Sequence, residues 1–431
     1  MATTGADAGP FRRALPLLLV GIVSCVSGSI PPGRPARTPV PAPQPVPPRA
    51  DPEIRVGVLV ATARVLVAGT DALVISEPDG ARVTTIPAGE TWQVTTVGQK
   101  LTLRSPAGWV SPSLDAVTLS AAAPEALLRL NGKLYRGTAD LLRDGAGITV
   151  VNRLGLEAYL SGVVSAEMGR RSPSEEAALQ AQAVISRTYA LRNLGKWRRQ
   201  GFDLSAGVAD QVYGGVLSET PEGRAAVAAT RGFLLTYNGA TAEAFFYSTC
   251  GGRTADAVEA FRGAAQPYLR SIADQDERGV AYCSISPRYR WHEEWSDRSL
   301  QATLERNLPP VSGIRREQVR QVRDIRVAHR SPSGRVDQLA IALGGPEIRV
   351  AGLAIRQVLR PPTGELLRSN AFTLAVTGGG SRVSHVAANG MGSGHGVGFC
   401  QWGAVGRARA GQGYAQILAA YFPGTRVARR Y

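Results

Sequence analysis

Glu167 is a candidate residue for acid–base chemistry. It lies between Ala166 and Met168, with Val164 close by in the chain. A general acid needs a carboxyl group whose pKa is raised by partial desolvation, and these apolar neighbours are consistent with such a setting. The alternative is a solvated acid on a loop, and the residue types alone leave that interpretation open.

A second candidate is the glycine-rich segment GHGVG, residues 394–398, which presents one histidine. Glycines permit backbone conformations and close approaches that other residues avoid. His395 and the nearby Gln401 are therefore predicted to line a cleft and contact its ligand. The alternative is a structural turn with a hydrogen-bonded histidine. The sequence shows no obvious serine or aspartate partner for His395, so a hydrolase triad is not indicated.

The element that must position these residues is the strongest helix signal in the chain. Ser172 is predicted as its N-cap, Pro173 occupies the first helical position, and Glu175 completes a capping box. The helical pattern then continues to Trp197. Its many alanines favour close packing, so we expect one long buried helix beside the cleft.

Three polar side chains on this helix are candidates for ligand binding. They are predicted to contact the ligand beside Glu167, and internal hydrogen bonding is the alternative. Because a cation beside Glu167 would lower the pKa of that carboxyl, we assign the arginine no catalytic role. The three residues are Gln182, Arg187 and Tyr189.

The remaining chain predicts an α+β fold in which strands predominate. Residues 53–125 alternate apolar and polar side chains between glycine, proline and aspartate, as strands do. Residues 156–169 predict a short helix, and residues 231–250 and 320–375 predict further strands. We expect a β-rich N-terminal region over 53–125 and a second domain over 126–431.

The N-terminus is typical of an export signal. A short basic stretch precedes an apolar run, Ala14 to Ser24, that is too short to span a bilayer. The run ends in a lipobox-like IVSC, so residues 1–25 are predicted as a lipoprotein-type signal with lipidation of Cys25. An ordinary signal peptide with a chance cysteine is the alternative. The proline-rich residues 26–52 predict an extended spacer.

The chain is strongly basic, with a formal net charge of +15. A GC-rich genome would explain the arginine excess, and attraction to a polyanion is the functional interpretation. The basic residues are scattered and are not clustered with aromatic residues. No nucleic-acid-binding module is therefore indicated.

Cys250 and Cys283 are predicted to pair. Export favours a disulfide, which would close a loop of about thirty residues and contribute about 3 kcal/mol. The competing interpretation is a metal site with His292 or His395 as a third ligand. Neither a Cys-x-x-Cys nor a His-Glu-x-x-His motif is present, and we expect no metal and no cofactor.

Three segments resemble the SpoIID/LytB family of sporulation and cell-wall proteins. The similarity extends over roughly residues 125–427, and the first and third segments together are specific. The segments are VVSAEMGRRSPSEEAALQAQAVISRTYAL from Val163, FFYSTCGGRTADAVEAF from Phe245, and GHGVGFCQWGAVGRARAGQGYAQILAAYFPGT from Gly394.

The resemblance implies a SpoIID-like fold and a lytic transglycosylase that cleaves peptidoglycan glycan strands, with Glu167 as the catalytic residue. One carboxyl group suffices for that reaction, because it protonates the leaving oxygen and then deprotonates the C6 hydroxyl of muramic acid. Hydrolases typically need two carboxylates. Relatives usually have a small residue where Cys400 stands, which favours a packing role over a nucleophile paired with His395.

The resemblance also implies alternatives without catalysis. The chain would then be an enhancer of a cell-wall amidase, or a lipoprotein whose cleft binds glycan without turnover. Glycan strands, an amidase and a membrane held through the lipid are the expected partners, and no nucleic acid is. We expect an exported, membrane-anchored protein that faces the cell wall or periplasm.

Overall fold

The computed structural model describes residues 50–431 except 146, 262–264, 346 and 380–381. The predicted signal peptide with Cys25, and most of the predicted spacer, lie outside the described residues. Within the described part of the chain, no helix is both long enough and apolar enough to cross a membrane.

Short strands dominate the first part of the chain, as the alternating pattern predicts, and helices follow them. The strands are β1 (Glu53–Thr62), β2 (Arg64–Gly69), β3 (Leu73–Ser76), β4 (Arg82–Ile86), β5 (Trp92–Val97), β6 (Lys100–Arg104), β7 (Ala116–Ala121), β8 (Leu128–Leu130), β9 (Lys133–Tyr135), β10 (Thr138–Asp144), β11 (Gly147–Gly155) and β12 (Leu204–Ser205). The helices are α1 (Leu156–Met168), α2 (Glu176–Arg192) and α3 (Pro221–Ala229).

The second part of the chain alternates shorter strands and helices. The strands are β13 (Phe233–Tyr237), β14 (Ala240–Thr241), β15 (Phe246–Tyr247), β16 (Arg290–Ser296), β17 (Asp324–Arg330), β18 (Val336–Ala342), β19 (Glu347–Ala351), β20 (Phe372–Gly379), β21 (Arg382–Met391), β22 (Phe399–Cys400) and β23 (Arg426–Arg429). The helices are α4 (Ala257–Ala260), α5 (Asp297–Asn307), α6 (Pro309–Ser312), α7 (Ala354–Val358), α8 (Gln401–Arg409) and α9 (Tyr414–Tyr421). The α+β class with predominating strands is confirmed.

The predicted start of the long helix is found in the structure. One turn of 3₁₀ helix precedes α2, and the backbone N–H of Ser172 donates to the Glu175 carboxylate at 3.0 Å. The helix ends at Arg192, before the predicted end at Trp197. The reason is local, because Gly195 has a φ of 77° and the chain turns there.

Strands from both sides of residue 125 share one sheet. Its seven strands have the order β12-β1-β11-β10-β7-β3-β4, and a five-stranded sheet, β6-β5-β2-β8-β9, accompanies it. In the seven-stranded sheet, β1 pairs antiparallel with β11 in the register Val56↔Asn152. The β-rich residues 53–125 are thus joined to the residues after them by backbone hydrogen bonds.

The buried side chains form two hydrophobic cores. The first takes residues from 54–283 and 397–422, and it includes apolar residues of α1, α2 and α8. The second takes residues from 291–388, around the fully buried Trp295. The chain leaves the first core after Cys283 and returns to it at Val397, so residues 291–388 are an insertion between two halves of the first core.

A buried ion pair ties α1 to α2. Arg187 is fully buried, and it donates to both carboxylate oxygens of Glu157, at 2.7 and 2.6 Å. Its guanidinium also donates to the carbonyls of Val227 and Phe233 at 3.3 and 3.1 Å, and the hydroxyl of Tyr431 donates to Glu157 at 2.5 Å. These contacts join both helices to α3 and β13.

Arg187→Met is expected to lower the free energy of unfolding by about 3–5 kcal/mol, because it leaves the Glu157 carboxylate buried without its cation. Urea denaturation followed by circular dichroism measures the change. The double variant Arg187→Met/Glu157→Gln is expected to regain part of the loss. A single variant that unfolds like the parent would show that the pair does not stabilise the fold.

Candidate active site

The glycine-rich turn and the end of α1 both line a cleft of about 890 Å³. Of the predicted site residues, Glu167, Tyr189, His395 and Gln401 line this cleft. The size suits a drug-sized ligand or a short stretch of polymer. Aromatic and basic side chains make up much of the remaining wall: Phe245, Phe246, Tyr247, Phe261, Trp402, Arg171, Lys196, Arg288 and Arg356.

The Glu167 carboxyl is desolvated but not isolated. It is the penultimate residue of α1, whose last residue is Met168. Gly169 follows the helix with a φ of 66°. Burial is the largest influence and raises its pKa, while two hydrogen bonds act in the opposite direction. Oε1 accepts from the backbone N–H of Val212 at 2.9 Å, and Oε2 accepts from the Gln401 amide at 3.2 Å. The net effect is a raised pKa, which suits a proton donor.

Gln182 lies behind the cleft and does not line it. Its side chain is fully buried and donates to the hydroxyl of Ser186 at 3.0 Å. Its carbonyl oxygen lies 3.4 Å from the amide nitrogen of Gln401, which in turn donates to Glu167. Gln182 thus contacts Gln401 from behind the cleft, and the structure does not place it where the predicted contact with ligand would need it.

Arg187 also lies outside the cleft. Its predicted contact with ligand is not possible in this structure, because the guanidinium is enclosed in the first core by Glu157 and backbone carbonyls. The carboxylate that pairs with Arg187 is that of Glu157, and not that of Glu167. Internal hydrogen bonding therefore describes both Gln182 and Arg187.

Tyr189 lines the cleft beside a second carboxylate, that of Asp210. The tyrosine hydroxyl donates to Asp210 at 2.9 Å, and further donors are Lys196 at 2.6 Å, Trp197 at 2.7 Å and the backbone of Ser205 at 2.8 Å. Burial acts to raise the pKa of Asp210, but these hydrogen bonds outweigh it and hold the pKa below its ordinary value. Asp210 is therefore ionised and its oxygens are occupied.

His395 is held by the backbone on both sides of its ring. Its Nε2–H donates to the carbonyl of Phe246 at 2.9 Å, and Nδ1 accepts from the N–H of Val397 at 3.1 Å; this network assigns the tautomer. Burial lowers the pKa of His395 to about 4, so the ring is neutral at pH 7. Only the ring surface is left for a ligand, and the structural-turn interpretation accounts for both nitrogens.

Three cysteines and an aspartate form a buried cluster next to the cleft. The sulfur atoms of Cys250 and Cys283 are 3.3 Å apart, and Asp274 lies 3.2 Å from the first of them. Cys400 completes a group whose donor atoms all lie within 4.8 Å of one another. All three cysteines are free thiols in the structure. The pairing of Cys250 with Cys283 therefore stays a prediction, at a separation that small movements would close.

The cluster has two chemical options. Three thiolates and a carboxylate make a donor set suited to zinc, and neither His292 nor His395 belongs to it. Asp274, however, is already held by Arg407 at 2.9 Å and Tyr421 at 2.8 Å. Hydrogen bonds from the other two thiols lower the pKa of Cys283, which favours a thiolate there and hence disulfide formation.

The thiol content of residues 50–431 tests the pairing. After air oxidation and denaturation, one thiol per chain is expected, that of Cys400, and three after reduction. In the matched variant Cys283→Ser, two thiols are expected before and after reduction. Three thiols accompanied by one zinc ion per chain, measured by elemental analysis, would contradict the disulfide and support a metal site.

Several residues of the cleft are not evident from the sequence. Val212 contributes a backbone N–H, a group that nearly every residue type has, so the sequence cannot identify it. Asp210 is fixed by Lys196 across a turn of the chain, and Arg171 lies 4.5 Å from the ring centre of Trp402, more than two hundred residues away. Only a three-dimensional arrangement distinguishes these polar residues from others on the surface.

Two family profiles match the chain. Residues 144–237, which carry Glu167 and α2, match the Stage II sporulation protein family, SpoIID. Residues 282–398, which contain the second core, match a domain of unknown function, DUF8618. The two matches correspond to parts of the two cores seen in the structure.

Curated relatives extend the similarity along the chain. An uncharacterised protein of Brachyspira hyodysenteriae is 31% identical over 68% of this chain and 72% of its own length. The stage II sporulation protein D of Bacillus subtilis is 29% identical over 64% of this chain and 75% of its own. The amidase enhancer of Bacillus subtilis is 28% identical over 69% of this chain but only 44% of its own length.

The chain therefore belongs to the SpoIID/LytB family, as the three sequence segments indicate. Membership supports a role in remodelling the cell wall and an exported, wall-associated location. The chain spans under half the length of the amidase enhancer.

Proposed function

We propose that the protein is a lytic transglycosylase that cleaves peptidoglycan glycan strands and leaves 1,6-anhydro-muramic acid ends, with Glu167 as acid and base. One observation carries the proposal. Of the two carboxylates that line the described cleft, only Glu167 has a raised pKa, while Asp210 is ionised and fully hydrogen-bonded. Such a site supplies one proton donor and no second carboxylate free to activate water.

The reaction follows from the contacts of Glu167. The protonated carboxyl donates to the glycosidic oxygen as that bond breaks. The Val212 N–H and the Gln401 amide then stabilise the carboxylate that forms, because both already donate to its oxygens. The carboxylate next accepts the proton of the C6 hydroxyl, whose oxygen attacks C1 and closes the anhydro ring. Glu167 is protonated again at the end of the cycle.

The N-terminal residues would place this activity at the wall. Lipidation of Cys25 is proposed to anchor the chain to a membrane, and the proline-rich residues 26–52 to hold the described part away from it.

Glu167→Gln is expected to lower the rate of anhydro-product release by about 10²–10⁴-fold, since it keeps the shape of the side chain but removes its proton. Mass spectrometry of soluble products from purified glycan strands, both peptide-bearing and denuded, measures the rate. Glu176→Gln is the matched control, because Glu176 is an exposed carboxylate on α2 outside the cleft.

Stability separates loss of chemistry from loss of fold. A carboxyl whose pKa is raised in the folded state is stabilising only at low pH, and its contribution is lost as the pH rises through that pKa. Glu167→Gln should consequently melt no lower than the parent at pH 7. Equal product release from the parent and this variant would refute the role of Glu167.

Gln401→Leu is expected to move the alkaline limb of the pH profile of kcat/KM to higher pH. The Gln401 amide stabilises the ionised form of Glu167, so its removal raises the pKa of the acid further. The exposed Gln200, outside the cleft, supplies the control Gln200→Leu, which should leave the limb in place. An unchanged limb in Gln401→Leu would mean that another group sets the alkaline pKa.

A second candidate function is enhancement of a cell-wall amidase, which is favoured by the similarity to the amidase enhancer of Bacillus subtilis. If neither the parent nor Glu167→Gln releases products but both bind glycan, the measurement to make is the rate of an added N-acetylmuramoyl-L-alanine amidase. Stimulation by both proteins would support the enhancer function.

A further inference from the structure

A second cavity, of about 820 Å³, is lined by residues of both hydrophobic cores. Cys250 belongs to the first core, and Trp291 and Phe372 belong to the second. The charged side chains in the rest of its wall are arginines, and among the described residues no aspartate or glutamate lines it. We call it the arginine cavity after the four arginines in its wall: Arg253, Arg290, Arg330 and Arg335.

None of these four guanidinium groups forms an ion pair with a described residue, whereas Arg187 pairs with Glu157. Arg335 is only 6% exposed, and its Nη2 donates to the carbonyls of Cys250 and Arg253 at 2.9 and 3.0 Å. Its Nε has no hydrogen-bond partner among the described residues. A buried cation is unfavourable without a counter-charge, so the cavity has a surplus of positive charge that an anion would balance.

The other arginines are fixed mainly by neutral groups. Arg330 donates to the carbonyls of Gly334 and Phe372 at 3.0 and 2.9 Å. The guanidinium of Arg290 lies 5.3 Å from the ring centre of Tyr289. Because carbonyls and an aromatic ring orient these guanidinium groups without neutralising them, the groups are preorganised to bind an anionic ligand.

The arginine cavity and the Glu167 cleft share two chain segments. Residues 247–248 and 393–394 line the cleft, whereas residues 250–251 and 389–391 line the arginine cavity. Between them, the backbones of Thr249 and Ser393 exchange hydrogen bonds of 3.0 and 2.8 Å. The arginine cavity is therefore only a few positions along these two segments from the cleft in which a polymer would bind.

We propose that the arginine cavity binds carboxylate groups of the same peptidoglycan strand whose glycosidic bond lies at Glu167. The proposal rests on the function proposed above. A strand offers carboxylates as lactyl groups of muramic acid, once the peptides are removed, or as acidic groups of the stem peptides. Guanidinium groups match carboxylates through paired N–H donors. Three of the four arginines lie in the region that matches the domain of unknown function, which would thereby have a role in substrate binding.

The test is binding without turnover. In the full chain carrying Glu167→Gln, Arg253→Gln and Arg290→Gln are introduced together, since both arginines are exposed and hold no core contact. The matched control is Arg64→Gln with Arg104→Gln, which removes the same charge from exposed positions on β2 and β6. Dissociation constants are measured for denuded strands, peptide-bearing strands and a neutral chitin oligosaccharide.

The expected result is at least tenfold weaker binding of a carboxylate-bearing strand by the cavity variant, and less than twofold by the control. Binding of the neutral oligosaccharide should be the same in both. Higher salt should narrow the difference, because it screens exposed charges. Equal strand binding by the two variants would overturn the proposal, and so would an equal loss for the neutral oligosaccharide.

The arms of the test also assign the source of the carboxylate. A loss confined to denuded strands identifies the lactyl groups, and a loss confined to peptide-bearing strands identifies the stem peptides. A teichoic acid, which is a polyphosphodiester, is titrated in the same way, and a loss of binding seen only with it would replace carboxylate by phosphate and overturn the proposal. If strand binding depends on the arginines but the unmodified chain releases no anhydro products, the proposed catalysis fails while this inference stands.

Discussion

The desolvated carboxyl of Glu167 is the constraint on which the arrangement of this protein depends. A carboxyl group removed from water is unfavourable when ionised, and here two hydrogen bonds offset part of that penalty. The donors come from a loop that follows β12 and from the first residue of α8. The fold must therefore bring two distant segments to the Glu167 side chain, and α2 packs against both α1 and α8.

Secondary structure followed from local patterns, because the capping box at Ser172 and the period-two strands are signals within a few residues of each other. The contact between Glu167 and Gln401 does not follow from local patterns, because the two residues are 234 positions apart in the chain. The sequence did not predict which face of α2 each polar side chain occupies. Alanines surround its polar residues on several sides, so nothing in the sequence separates the core-facing Arg187 from the cleft-facing Tyr189.

The insertion of residues 291–388 explains why the described part of the chain has two cores. This insertion carries its own apolar interior, so it adds little to the packing around Glu167. It nevertheless supplies Arg330 and Arg335 to the arginine cavity, and Arg290 immediately precedes it, beside the segments that bear the cleft. Additions of this kind leave a catalytic centre intact and change what is recognised around it, because binding surfaces tolerate variation that buried cores do not.

The short parallel pairing of β15 with β22 has a consequence for how the chain matures. It joins Phe246 to Phe399 and Tyr247 to Cys400, so one wall of the cleft exists only after residues near 400 have emerged. Contacts between such distant residues form late, because long loops must close first. In a chain that crosses a membrane from its N-terminus, the Glu167 cleft would thus be completed only after residues near 400 have crossed.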